Sequence, residues 1–250
     1  MRGARALSAV RSTLKQVLPR FVLRRLRPQS TPTPGRVAFG DLRRTRPLSS
    51  HFGWERGQPV DRYYIERFLE ARASDIAGRV LEVGDSSYTD CFGRDRVTRR
   101  DVLHLHEGSP GATVVADLSD AGHVPSEQYN CIVLTQTLHL IFDVAAAVGT
   151  LHRLLVPGGV LLLTVPGISP VDRGEWGASW CWSFTAHSAR RSLELAFASA
   201  DVEVEQYGNV LAAVSFLEGL ASHELTHQEL TIDDPAYPVI VAVRARKQAR

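Results

Sequence analysis

Short apolar runs closed by turn residues recur along this chain, and between them apolar positions repeat every three or four residues. The first run is Val80, Leu81 and Val83, interrupted by Glu82 and closed by Gly84 and the polar Asp85-Ser86-Ser87. Further runs cover 101–106, 113–116, 129–134, 160–165, 201–207 and 237–244. Most are too continuously apolar for a sheet with one wet face and suit strands buried on both sides. Val144, Ala147, Val148, Leu151, Leu154 and Leu155 share one helical face over 144–155, and Pro157-Gly158-Gly159 is expected to stop that helix. Residues 187–198 also read as helical. Strands alternating with helices predict a doubly wound α/β sheet. At the end of its first strand, Gly84 lets backbone approach a nucleoside where a Cβ would clash, and Glu82 can accept hydrogen bonds or face a cation.

The order of motifs is more specific than any one of them. Leu81-Glu82-Val83-Gly84, Ala116-Asp117-Leu118, Leu138-His139-Leu140-Ile141-Phe142-Asp143 and Leu154-Leu155-Val156-Pro157-Gly158-Gly159 follow one another in that sequence. Together they resemble the class I S-adenosylmethionine-dependent methyltransferases, in particular the type 11-like branch, over about residues 60–245. The resemblance implies a doubly wound, mostly parallel seven-stranded sheet (the Rossmann-like methyltransferase fold) with its last strand antiparallel. It places S-adenosylmethionine over the C-terminal edges of the first, second and fourth strands. Charge and composition set off a basic arm and linker at 1–36, and the resemblance makes 37–250 a methyltransferase domain, with an N-terminal lid and helix at 37–77 and the core at 78–250.

Carried over residue by residue, the resemblance assigns the first-strand loop to Glu82, Gly84, Asp85 and Ser86. Relatives usually carry Glu/Asp-x-Gly-x-Gly; here Ser86 stands at the second glycine, so the loop is expected to follow a different path. A ribose-binding acid is expected about 20 residues on, which points to His106 or, through a one-residue shift, Glu107. Asp117 and Leu118 match the position that meets adenine, with a helix N-cap as the other reading of Asp117. Gln136 and Thr137 would line the methionine portion. In the lid, Arg56 or Arg62 would take the methionine carboxylate and Tyr63 or Tyr64 its amino end. The competing reading makes Tyr64, Ile65, Phe68 and Leu69 the buried face of an ordinary helix.

His139 borders the acceptor side and is the candidate general base, with His187 and His51 as substitutes and a packing role as the alternative. As a base with an ordinary histidine pKa it would give a rate that falls below pH of about 6.5. Trp176, Trp180 and Trp182 suggest an aromatic wall for a ring or sugar face. His223 and His227 stand four residues apart without a third ligand, so no metal site is expected.

Charge changes this picture at one end only. Residues 1–50 carry 11 Arg and Lys15 against Asp41 for a net +11, whereas the remainder carries −9. Leu7, Val10, Leu14, Val17, Leu18 and Phe21 fall at helical intervals between the arginines. Such an arm could pack on the acidic body, contact an anionic membrane or be a cleaved organellar peptide. One aromatic and no binding motif argue against nucleic acid. Cys91, Cys131 and Cys181 form no Cys-x-x-Cys unit, which fits reduced thiols and a cytoplasmic location. The reading that follows is S-adenosylmethionine-dependent methylation of a small molecule, at a hydroxyl oxygen of a sugar or secondary metabolite. The alternative is a methyltransferase-fold binding protein without catalysis, recruited to a membrane or a glycosyltransferase by its arm.

Overall fold

The computed structural model describes residues 31–249. The amphipathic positions of the basic arm, from Leu7 to Phe21, lie outside the described residues. Residues 31–44 belong to a unit separate from that beginning at Thr45, and hold a short 3-10 turn at Gly40–Leu42 beside which the Arg43 guanidinium lies over the Phe39 ring. No described helix is long and apolar enough to cross a membrane.

From Thr45 onward one seven-stranded sheet organises the chain: β1 (Gly78–Val83), β2 (Val97–His104), β3 (Val114–Val115), β4 (Tyr129–Thr135), β5 (Leu155–Pro166), β6 (Val202–Tyr207) and β7 (Ile240–Arg246). Their spatial order is β3-β2-β1-β4-β5-β7-β6. The first five strands pair in parallel, and β7 runs antiparallel to both β5 and β6. All seven predicted strands are present, as is the antiparallel last strand.

The continuous apolar runs have a direct cause. Successive side chains of a strand point to opposite faces, and both faces are covered. Leu81, Ile132 and Leu134 pack with α2 (Val144–Leu154) and α3 (Ala186–Leu193) on one side. Val80, Cys131 and Val133 pack with α1 (Val60–Ala71) and α4 (Val210–Leu217) on the other. A further short helix, α5 (His227–Thr231), follows α4.

Three boundaries depart from expectation. Pro157-Gly158-Gly159 lies inside β5 rather than capping α2, which ends at Leu154. The register shifts between Tyr129 and Cys131, opposite that segment, so the extra residues are absorbed as an irregularity in the strand. A Cβ at Gly159 would come within 3.0 Å of the Val156 and Tyr129 carbonyl oxygens, so close backbone approach explains the glycine. The helix read over 187–198 stops at Leu193. Strand β2 starts at Val97 and ends at His104, two residues earlier than the 101–106 run suggested.

Candidate active site

Strand order reverses between β1 and β4, where a doubly wound sheet opens a crevice at its C-terminal edge. A cavity of about 660 Å³ occupies that place, within the range of about 300–1,000 Å³ of small-molecule sites. Gly84 closes β1 there, Leu103 and His104 close β2, Asp117 and Leu118 follow β3, and Gln136 follows β4. Asp61 and Arg62 reach it from the first turn of α1, and Phe52 and Trp54 from the segment before.

The polar atoms of this cavity distinguish it. Asp61 Oδ1, His104 Nε2, Gln136 Nε2 and His139 Nδ1 are buried without a hydrogen-bond partner, and all four residues line it. Burying such an atom unpaired costs about 1–3 kcal/mol, so four around one space mark a site shaped for a polar ligand. Backbone conformation agrees. Phe52 (φ 58°) and Gln136 (φ 46°) occupy the left-handed region that non-glycine residues seldom adopt, and both line the same space. Gly84 has φ 98°, and a Cβ built on it meets no atom within 4 Å, so a side chain there would project into the open space.

Burial sets the protonation of the two central groups. The Asp61 carboxyl is raised from its ordinary value by burial, against the pull of the neighbouring Arg62. His139 is lowered to about 4 by burial alone, so its ring is neutral at ordinary pH. Its ring packs edge-on to Trp180 at 4.3 Å between centroids, and its carbonyl accepts from Cys181 and Trp182 N–H. A rate fall near pH 6.5 is therefore not what this ring would give; its protonation lies near 4.

Several expected site residues lie elsewhere. His106 and Glu107 are exposed in the turn beyond β2 and outside the cavity lining. Because the strand ends at His104, the place counted to them is held by His104 and Leu105. Glu82 is buried and outside the cavity lining, and its carboxylate accepts the N–H groups of Tyr88 (3.2 Å) and Thr89 (2.8 Å). It ties down the helical turn after β1. Asp85 Oδ1 accepts from Ser87 N–H, and the Ser86 hydroxyl donates to Asp90, so both serve that turn and stand outside the lining. No helix follows Asp117; its Oδ1 instead accepts the Ser119 N–H and hydroxyl, which replaces the N-cap reading.

In the lid segment, Arg62 alone of the four named candidates lines the cavity, its guanidinium 5.7 Å from the Trp54 ring centroid. Arg56 is paired with Glu224. Tyr64 is fully buried and Tyr63 packs edge-on against it, so both belong to the apolar face of α1. His51 and His187 are exposed and outside the lining. Trp176 and Trp180 line the cavity, whereas Trp182 stacks on Phe142 and donates to the Ile141 carbonyl. His223 and His227 sit on separate short helices, and no cluster of three metal-ligating side chains occurs among the described residues.

A family model described as a methyltransferase domain matches residues 62–207, more than half of the chain. No curated protein matches. Among solved structures, a SAM-dependent methyltransferase from Archaeoglobus fulgidus superposes with a TM-score of 0.51 at 12% identity, covering 74% of this chain and 94% of that one. An S-adenosylmethionine-dependent methyltransferase from Mesorhizobium loti gives 0.51 at 18% identity, covering 75% and 98%. The [4+2]-cyclase SpnF gives 0.52 at 16% identity, covering 81% and 86%. At these identities the likeness is one of fold.

Proposed function

We propose that this chain, which belongs to the methyltransferase-domain family, is an S-adenosylmethionine-dependent methyltransferase acting on a small molecule at a hydroxyl oxygen. The cyclase among the similar structures is a reminder that fold alone does not fix a reaction, so the reading rests on the cavity. The observation that carries it is the set of four unpartnered buried polar atoms at the ends of β2, β4 and α1.

Those residues fit the cofactor. Asp61 would accept from its ammonium group, and Arg62 beside it would pair with its carboxylate. His104 would meet a ribose hydroxyl, Asp117 and Leu118 the adenine, and Gln136 the methionine portion. Gly84 leaves the room that a side chain would fill. Bound there, S-adenosylmethionine supplies an electrophilic methyl group on a sulfonium.

The chain's own work is positioning and proton transfer. In-line displacement gains most from alignment and exclusion of water, and the strained Phe52 and Gln136 hold their side chains at the cavity wall. His139, neutral and with Nδ1 unpartnered, would accept the proton of the acceptor hydroxyl. Its lowered basicity makes it a weak base that is always in its acting form at neutral pH. Trp176 and Trp180 would carry the ring or sugar face of the acceptor.

Titration calorimetry with S-adenosylmethionine and S-adenosylhomocysteine tests this directly. Micromolar binding is expected, and Asp61→Asn should weaken it about 10- to 100-fold in a protein that still folds. A wild-type chain that binds neither compound would end the reading.

A further inference from the structure

A second cavity of about 400 Å³ adjoins the first, and Phe52, Asp172 and Phe216 belong to the walls of both. Phe52 links the two. Its ring stacks on Trp180 (6.4 Å, 12°) on one side and on Phe216 (6.0 Å, 30°) on the other. Since Trp180 meets the His139 ring at 4.3 Å, one aromatic wall runs from the candidate base into the second cavity. Pro47, Val171 and Leu217 extend that wall as apolar surface.

The polar side of the second cavity is unequally engaged. Ser49 Oγ accepts the His51 and Gly53 N–H groups, and Asp172 Oδ2 accepts the Trp176 N–H. Arg173 is the one cation in the lining, and no ion pair among the described residues engages it. An aromatic wall leading from the base into a lining that holds Arg173 outside any ion pair, with the Asp172 carboxylate already accepting from Trp176, suits a flat apolar body carrying an acid group.

We propose that the second cavity completes the acceptor site, which takes an aromatic hydroxy acid whose hydroxyl end lies in the first cavity between Trp180 and Phe52 and whose acid-bearing end reaches past Phe216 with its carboxylate toward Arg173. This inference rests on the methyltransferase reading above for the fate of the hydroxyl, and on the cavity alone for the binding. In the reaction the acceptor oxygen forms the new bond to the methyl carbon, the sulfonium–methyl bond breaks with its electron pair remaining on sulfur, and the hydroxyl proton passes to His139.

The test compares 6-hydroxy-2-naphthoate, whose hydroxyl and carboxylate lie at opposite ends of the ring system, with uncharged 2-naphthol on the full chain, by calorimetry and by tryptophan fluorescence, with and without S-adenosylhomocysteine. The acid should bind about 5-fold more tightly than the naphthol, the scale of one exposed ion pair. Arg173→Glu should remove that preference while leaving S-adenosylhomocysteine affinity unchanged, and Phe52→Ala should weaken both naphthalene compounds. Equal binding of acid and naphthol to the wild type, or a preference that survives Arg173→Glu, overturns the proposal. Failure to bind S-adenosylhomocysteine would count against the cofactor reading instead, since the two-probe comparison does not depend on it.

Discussion

Asp101 and Asp61 are both buried aspartates, and they are treated in opposite ways. Asp101, on β2, accepts from Arg79 at 2.6 Å and from Arg99 at 3.2 Å; Arg79 also donates to Gln128 and lies over the Tyr129 ring. Asp61, on α1, leaves Oδ1 with no partner at all. The difference follows their place on the sheet. Asp101 lies mid-strand, where every neighbour is set by the fold; Asp61 faces the crevice at the C-terminal edge. A charge whose partners come from the fold stabilises it. One left open is stabilised only when something binds.

Mutating the two sharpens that contrast most. Asp101→Ala leaves Arg79 without its carboxylate and should cost about 4 kcal/mol of unfolding free energy, within the range for breaking a buried pair. Asp61→Asn removes a buried charge whose desolvation outweighs the pull of Arg62 and of the backbone N–H groups beside it, so its urea-unfolding midpoint should stay level or rise. Equal destabilisation by the two would show that Asp61 is a structural residue.

His139 gives the next largest effect, and its sign can be worked out. Burial lowers the folded pKa to about 4, so the native ring stays neutral while the unfolded chain takes up a proton as pH falls through about 6.5. Its contribution is therefore fully present above about pH 6.5 and is lost as pH falls toward 4, by about 3 kcal/mol. Glu82 acts in the other direction. Burial raises it to about 7, so its contribution is present below about pH 4.5 and lost as pH rises through 7. The difference between wild-type and His139→Leu stability curves isolates the histidine. A flat difference between pH 4 and 7 would show that its ring is hydrated.

These contrasts mark how far the residues could be read without coordinates. The doubly wound sheet was legible because Val80-Leu81 and Cys131-Ile132-Val133-Leu134 are apolar on both faces, as strands covered on both sides are; the strand order was not. Gly84, Asp117, Leu118, Gln136, Arg62 and His139 were legible because each stands next to a strand end or helix start that the pattern locates. His104 was missed as a lining residue because apolar Leu105 extends the run beyond the last ladder pair, so the count from Gly84 passed the strand end by two. Asp61 was missed beside Arg62 because nothing in the sequence says which residues of a helix's first turn face a crevice. Phe216 and Asp172 come from distant segments, and only tertiary packing brings them to Phe52.

On ligand binding the same aspartate should reverse its rank. Asp61→Asn keeps the shape of the site and removes the charge facing the expected ammonium group, so S-adenosylmethionine affinity should fall about 10- to 100-fold, the worth of a charge-assisted hydrogen bond. Asp101→Asn, measured under conditions where it remains folded, should change affinity little. A calorimetric result with those two effects exchanged would place the ligand on the wrong side of the sheet edge.

The smallest expected effect separates two placements of the ribose. Glu107 is exposed in the turn beyond β2 and outside the cavity, whereas His104 lines it with Nε2 unpartnered. If the strand end decides the contact, Glu107→Ala should change S-adenosylhomocysteine affinity less than about 2-fold, while His104→Ala removes a buried hydrogen bond and should cost about 5- to 10-fold. A carboxylate could bridge both ribose hydroxyls and an imidazole only one, so a loss at Glu107 larger than that at His104 would mean that the turn after β2 folds inward around the ligand. The ribose would then be held by the residue three positions past the one that the unliganded strand presents.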